Sequence, residues 1–181
     1  MTRFIREKFE VEEPGKVRVH RQDGSAGPGL PTSGPLYLVG LPGSGKSELG
    51  QRLAEKLGVP FLALPAQGGQ QAWAQALDEA LAQGAPVVEV PHKLMADEGF
   101  RQRLASTGRV LYLMANAGVL ADRLAKARQG QDPEALRQGL VNLIGTFEPL
   151  FMQTLHMLVP AEGPLGEVEA LALERLRFTQ R

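Results

Sequence analysis

The chain has 181 residues, of which 43% are hydrophobic, so its length and composition fit one ordinary domain with a buried core. Lys and Arg number 20 and Asp and Glu number 20, so the formal net charge is zero and no overall basic field favours nucleic acid or an anionic membrane. Cysteine is absent, which excludes disulfides, thiolate catalysis and cysteine-based metal sites. Residues 1–8 carry charges instead of an apolar segment, and no run of about eighteen apolar residues occurs, so we expect a soluble cytoplasmic protein.

Residues 1–35 differ in composition from the rest of the chain. Residues 16–21 alternate in the manner of a strand, and residues 22–35 are rich in Gly, Pro and Ser, which predicts a loop or linker. We therefore divide the chain into an N-terminal arm, residues 1–35, and a main domain, residues 36–181. The arm could form a small hairpin packed on the domain, bind a partner, or be mostly mobile.

From Leu36 onward, short apolar runs alternate with helical patterns. This alternation predicts an α/β fold with a five-stranded parallel sheet and helices on both faces. The predicted strands span residues 36–39, 60–64, 86–90, 110–114 and 155–159. The predicted helices span residues 46–57, 69–83, 97–106, 117–128, 133–151 and 164–178. Trp73, Leu77 and Leu81 lie at helical spacing and predict a core stripe, while Asp132 before Pro133 predicts a helix N-cap.

A glycine-rich segment joins the first predicted strand of this domain to its first helix. It matches G-x-x-x-x-G-K-[ST] without substitution, and it reads Gly40, Leu41, Pro42, Gly43, Ser44, Gly45, Lys46 and Ser47. Glycines let successive backbone N–H groups turn towards a polyphosphate, and the helix N-terminus adds further donors. A glycine-rich connector can match by chance, but the strand before it and the helix after it favour a phosphate-binding loop.

The chemistry of this loop is that of nucleoside triphosphate binding, and we expect a purine nucleotide, ATP, with Mg²⁺. Lys46 would reach the β- and γ-phosphates, and the Ser47 hydroxyl would ligate Mg²⁺. We also assign Glu48, which directly follows the loop, to the nucleotide site.

Three further segments carry a family resemblance. They are residues 53–61, which read LAEKLGVPF, residues 108–113, which read GRVLYL, and residues 149–151, which read PLF. With the loop, they make the chain from Leu36 onward resemble the shikimate kinase family, whose nucleoside-monophosphate-kinase-like fold is a three-layer P-loop fold. The resemblance implies ATP, Mg²⁺ and phosphoryl transfer to a small alcohol, and it does not cover the first 35 residues.

The groups that the family uses to bind shikimate have no counterpart here. Ala63 and Pro65 stand where the family has an Asp-x-Asp, and residues 91–93, which read PHK, replace a triple glycine. Phe147 replaces a late arginine, Asp132 replaces the lid arginine, and no Arg lies between positions 52 and 101. Because shikimate is a small polyhydroxylated anion, its site needs guanidinium groups and an orienting carboxylate. We therefore expect a conserved fold and nucleotide site with a different acceptor site.

Several polar residues remain as candidates. By the resemblance, Arg123 lies near the nucleotide, with Lys126 and Arg128 towards the lid; the alternative is a solvated cationic helix face. Glu89 interrupts an apolar strand, where a buried carboxylate needs a partner, so it is either a Mg²⁺-linked acid or a structural partner of a Lys or Arg.

The three histidines and Lys93 also allow structural or functional roles. His92 and Lys93 either fill the mouth of the acceptor pocket or bind a different anion. We expect His20 and His156 to be structural.

Two classes of function stay open. The first is a small-molecule kinase with an acceptor other than shikimate, in which Lys46 is catalytic and Arg123 or Arg128 assists. The second is a nucleotide-binding module without phosphoryl transfer, whose arm or lid reports nucleotide occupancy to a partner. A carboxylate positioned near both Ser47 and an open acceptor cavity would favour the first class. A pocket blocked by His92, Lys93 or Phe147 would favour the second.

Overall fold

The computed structural model describes residues 8–13, 16–20, 34–67, 69–128 and 131–178. Strands β1 (Lys8–Glu13) and β2 (Lys16–His20) pair in antiparallel fashion. The strand predicted at residues 16–21 is therefore confirmed over residues 16–20, and its pairing with β1 fits the hairpin alternative for the arm. Most of the predicted loop at residues 22–35 lies outside the described residues, and the division into arm and domain stays a prediction.

The five predicted strands form one all-parallel sheet, in the spatial order β4-β5-β3-β6-β7. In chain order they are β3 (Leu36–Val39), β4 (Phe61–Ala63), β5 (Val87–Glu89), β6 (Arg109–Met114) and β7 (Met157–Pro160). The strand β3 lies at the centre, so the loop that follows it opens at the middle of the carboxyl edge of the sheet. That edge is where ligands bind in open α/β sheets.

The six predicted helices are confirmed, with ends displaced by three residues or fewer. They are α1 (Lys46–Leu57), α2 (Gly69–Ala82), α3 (Glu98–Thr107), α4 (Ala117–Ala127), α5 (Pro133–Thr154) and α6 (Leu165–Phe178). A short 3₁₀ helix, His92–Ala96, follows β5 and was not predicted. The N-cap of α5 is confirmed, because the Asp132 carboxylate accepts a hydrogen bond from Glu134 N at 3.1 Å.

The sheet separates two hydrophobic clusters, which gives the fold its three layers. Tyr37 and Val39 of β3 face the cluster that α2, α3, α4 and α5 cover, while Leu36 and Leu38 face the one that α1 and α6 cover. This alternation follows from the two-residue period of a strand. The predicted core stripe of α2 is confirmed, since Leu77 is fully buried and Trp73 packs against the same cluster. No helix of the described residues is long and apolar enough to span a membrane.

Candidate nucleotide site

The glycine-rich loop has a conformation that needs its glycines. Gly43 and Gly45 have φ of 85° and 87°, in the left-handed region that L side chains rarely adopt. A Cβ atom on Gly43 would also lie 2.9 Å from the Leu120 carbonyl oxygen of α4. The loop therefore packs directly on α4 and leads into the N-terminus of α1, whose first backbone N–H groups have no partner within the helix.

Lys46 is the buried cation of the loop. Only 8% of the residue is exposed, and its ammonium donates to the carbonyl oxygens of Gly40 at 2.9 Å and Leu41 at 3.1 Å. Burial lowers the pKa of Lys46 to about 8, and the negative charge of Glu89 partly opposes this effect. Among the described residues no carboxylate pairs directly with the ammonium, so a bound anion would supply its missing countercharge.

The two serines of the loop have different environments. The Ser44 hydroxyl is buried and has no hydrogen-bond partner within the part of the chain that the structure describes, whereas Ser47 is exposed in the first turn of α1. Among the described residues, the buried Ser44 hydroxyl has no hydrogen-bond partner and the buried Lys46 ammonium has no directly bonded anion. A polyphosphate would satisfy both groups. The loop therefore fits the phosphate chain of a nucleotide.

Glu89 ends β5, the strand next to β3, and lies in register with Leu38 and Ala63. It is half-buried, and its carboxylate makes no hydrogen bond or ion pair with the residues that the structure describes. The described part of the chain contains no group of three or more acidic or histidine side chains that could enclose a metal ion. This sparse set suits Mg²⁺, which typically uses one or two carboxylates together with phosphate oxygens and water.

Arg123 connects the loop to the opposite wall of the site. Its guanidinium donates to the carbonyl oxygens of Gly43 at 3.4 Å, and of Glu162 and Gly163 at 3.2 Å each. The side chain is half-buried, so Arg123 is not a freely solvated cation. Arg128 caps α4 through its backbone, and its exposed side chain makes no hydrogen bond or ion pair with the described residues. The structure thus brings Arg123, and not Arg128, to the loop.

A cavity of about 290 Å³ opens beside the phosphate loop. The loop contributes Ser44 and Gly45, and α1 contributes Glu48. The far wall comes from the segment 161–165, through Ala161, Gly163, Pro164 and Leu165, together with Val168 of α6. Glu162, which lies in the same segment but does not line the cavity, is held by Asn116, whose backbone N–H and side-chain amide donate to its carboxylate at 3.1 and 2.8 Å. The sequence reasoning missed this wall because it carries no motif. The position of this segment directly after the last parallel strand was the one feature of the sequence that could have indicated it, because ligands bind at the carboxyl ends of such strands.

The side of the site that faces β5 is built differently. The His92 ring meets the Phe147 ring edge-on, with centroids 4.9 Å apart and an interplanar angle of 85°. Phe147 belongs to the core cluster of α5, and His92 is half-buried. Burial lowers the pKa of His92, and the charges of Lys46 and Lys93 lower it further. Two aromatic rings therefore pack together at this edge.

The remaining substituted positions on that side carry no charge into the site. Ala63 and Pro65 are exposed, and Lys93 points to solvent on the 3₁₀ helix. The Asp132 carboxylate caps the N-terminus of α5. His156 was predicted to be structural. Its Nδ1 accepts a hydrogen bond from Val110 N at 2.9 Å near the opposite edge of the sheet, which agrees with that role.

No protein-family model matches the chain. A shikimate kinase from Xanthomonas campestris pv. campestris is 31% identical over 167 residues, covering 79% of this chain and 91% of that protein. The crystal structure of shikimate kinase from Bacteroides thetaiotaomicron superposes with a TM-score of 0.69 at 19% identity, covering 80% of this chain and 99% of that one. The structure of shikimate kinase from Acinetobacter baumannii in complex with shikimate superposes with a TM-score of 0.64 at 24% identity, covering 80% of this chain and 92% of that one. These solved structures share the fold described above.

Proposed function

The chain belongs to the shikimate kinase family and is a kinase-like nucleotide-binding protein; we propose that it binds ATP with Mg²⁺ and transfers a phosphoryl group to a small alcohol other than shikimate. The observation that carries the proposal is the environment of Lys46. Its ammonium is buried, its pKa is lowered to about 8, and its hydrogen bonds to the described residues go only to neutral carbonyl groups. An anion site of this kind at a helix N-terminus fits the phosphates of a nucleotide.

The proposed roles follow from the positions of the side chains. Bound ATP would supply the phosphoryl group, and Mg²⁺ would neutralise part of its charge. Lys46 would hold the β- and γ-phosphate oxygens, and the backbone N–H groups of the loop would orient the chain of phosphates. Ser47 and Glu89 would hold the metal ion, while Arg123 would keep the loop against the 161–165 wall. The 290 Å³ cavity beside Glu48 is where the base and sugar would lie.

Shikimate is an unsuitable acceptor for this site by its chemistry. A carboxylate ligand needs a guanidinium partner, and an attacking hydroxyl needs a positioned carboxylate. At the positions where the family resemblance places such groups, this chain has Ala63, Pro65 and Phe147. The Phe147 ring is packed against His92 instead of offering a charge. The proposed acceptor is therefore an alcohol that does not depend on a carboxylate for recognition.

The test combines binding with turnover. Isothermal titration of ATP with Mg²⁺ into the protein should give saturable binding that Lys46→Ala abolishes or weakens strongly. ADP release should then be followed with ATP alone, with shikimate, and with a panel of hydroxylated metabolites. Acceptor-dependent ADP release with one uncharged or cationic alcohol, and none with shikimate, would support the proposal. Lack of ATP binding would overturn it.

A second function is favoured by the contact between His92 and Phe147. These rings occupy the edge where the family resemblance places the acceptor, and Phe147 is only 9% exposed. A site closed in this way suits a module that binds nucleotide without phosphoryl transfer and signals its occupancy to a partner. Tight ATP binding with no acceptor-dependent turnover across the whole panel would decide for this second function.

A further inference from the structure

His92 is a polar side chain beside the phosphate loop that the proposed roles leave unused. It lies on the 3₁₀ helix directly after β5, the strand adjacent to the strand that enters the loop. The ring is half-buried, and neither of its nitrogen atoms has a hydrogen-bond partner among the described residues. The ring packs edge-on against Phe147, which offers no acceptor.

Val90 N donates to the Leu38 carbonyl oxygen at 3.0 Å, so the residues that follow β5, His92 among them, lie beside the start of the phosphate loop. The charge of Lys46 also acts on the His92 imidazole. A lysine at this position of a phosphate-binding loop reaches the β- and γ-phosphates. The terminal phosphate of a bound triphosphate would therefore lie within the same neighbourhood as the imidazole.

We propose that His92 recognises the terminal phosphate, donating its ring N–H to a γ-phosphate oxygen and so distinguishing ATP from ADP. This inference rests on the proposed nucleotide site and deepens it, since it names the phosphate that the β5 side of the site detects. The packing on Phe147 fixes the plane of the imidazole, so less rotational freedom is lost when the hydrogen bond forms.

The contact does not depend on the protonation state of His92. The neutral imidazole has one N–H donor and the protonated imidazole has two, so either form can bind a phosphate oxygen. The charged groups that act on the ring are Lys46 from α1 and Lys93 from its own helix, and α5 presents only the uncharged ring of Phe147. Of the two, Lys46 is buried in the loop and adds to the attraction for a phosphate dianion at this point, whereas Lys93 is exposed to solvent.

The experiment compares nucleotides that differ in the terminal phosphate. Titration calorimetry with Mg²⁺ measures Kd for the non-hydrolysable β,γ-imido analogue of ATP and for ADP. His92→Phe keeps an aromatic edge on Phe147 and removes the N–H donor, whereas His92→Gln restores a donor without the aromatic ring. We expect His92→Phe to raise Kd for the triphosphate by about tenfold or more, as for loss of a hydrogen bond to a charged group. Its Kd for ADP should change by less than about twofold, and His92→Gln should recover part of the triphosphate affinity.

His156→Gln is the matched control, because His156 is likewise half-buried but lies near the other edge of the sheet. It should leave the ratio of the two Kd values unchanged. Equal losses for both nucleotides in His92→Phe would assign His92 a purely structural role and overturn the inference, and so would an unchanged ratio in both His92 variants. Absence of binding of either nucleotide to the parent protein would overturn the proposed function, and this inference with it. Thermal unfolding of each variant establishes that the comparison is made on folded protein.

Discussion

The Lys46 ammonium donates a hydrogen bond to the Gly40 carbonyl oxygen at 2.9 Å, so the cation of the loop is held by the first residue of the loop itself. A neutral carbonyl compensates a buried charge less well than an anion does. Burial accordingly lowers the pKa of Lys46 to about 8. The free energy lost in burying this charge becomes available again when a phosphate group replaces the carbonyl partners.

Nucleotide binding should therefore stabilise the fold through Lys46. Mg²⁺ with ATP or ADP at about a hundredfold excess over Kd should add about 2.7 kcal/mol to the free energy of unfolding, since only the native state binds the ligand. Lys46→Ala should remove most of this increase in a thermal unfolding assay. Lys56→Ala, which changes an exposed lysine in the last turn of the same helix, is the control. Equal stabilisation of parent and Lys46→Ala would show that the nucleotide binds elsewhere.

The stability of the ligand-free protein should depend on pH through the same lysine. The pKa of Lys46 is about 8 in the folded chain and 10.5 for an ordinary lysine. Between these values the unfolded chain holds more protons, so the contribution of Lys46 to stability rises with pH from about 8 to about 10.5. The full change is about 3 kcal/mol at most.

Lys46→Met isolates this effect because it removes the titrating group and keeps most of the volume of the side chain. Urea unfolding of parent and variant should be measured at several pH values across the same window. As the pH rises, the free energy of unfolding of the parent should increase relative to that of Lys46→Met. A difference that stays constant with pH would mean that the ammonium is not desolvated in solution.

Removal of the Glu89 charge should weaken the dependence of nucleotide binding on Mg²⁺. Glu89→Gln keeps the shape of the side chain at the end of β5 and removes the negative charge that faces Lys46. We expect the Mg²⁺ concentration for half-maximal binding to rise by about tenfold or more. Glu55→Gln, an exposed position on α1, should leave the titration unchanged. An unaltered Mg²⁺ titration in folded Glu89→Gln would return Glu89 to a structural role.

The two candidate arginines should behave differently. Arg123→Met keeps the aliphatic stem but removes three hydrogen bonds that join the phosphate loop to residues 162 and 163. It should lower the free energy of unfolding by about 1–3 kcal/mol and also weaken nucleotide binding. Arg128→Met, at an exposed position without such bonds, should change stability by less than about 0.5 kcal/mol. Similar effects of the two substitutions would contradict the bridging role of Arg123.

The sequence predicted those features that depend on local patterns. The apolar run at residues 36–39, the glycines of the loop and the periodic leucines of α1 are neighbours in the chain, so strand, loop and helix could be placed from them. The 3₁₀ helix that begins at His92 could not be predicted in this way, because its N-cap is Pro91 and no side chain caps it. The acceptors of Arg123 lie 80, 39 and 40 residues away, and such partners are set by the packing of α4 and not by spacing. The contact between His92 and Phe147 is of the same kind.

The protein should not phosphorylate shikimate at a rate that a metabolic kinase needs. Phosphoryl transfer is accelerated mainly by positioning of the acceptor and by charge around the transferring group. Here Phe147 packs on His92, and the carboxylate of Asp132 caps α5. Neither residue provides a cation for the carboxylate of shikimate or for the γ-phosphate. Arg128 could supply charge from the end of α4, but it cannot replace a carboxylate that orients the attacking hydroxyl.

A coupled assay of ADP release at saturating ATP and shikimate measures this directly, with the Xanthomonas shikimate kinase as the positive control under the same conditions. We expect no shikimate-dependent increase over the rate with ATP alone, while that control turns over. Ala63→Asp combined with Phe147→Arg should not restore full activity either, because the orientation of both new side chains would depend on neighbours that this chain lacks. A shikimate-dependent turnover of the order of 1 s⁻¹ or above in the parent protein lies in the usual range for kinases. That result would show that other residues bind the acceptor and that the positions of Ala63, Phe147 and Asp132 do not define its site.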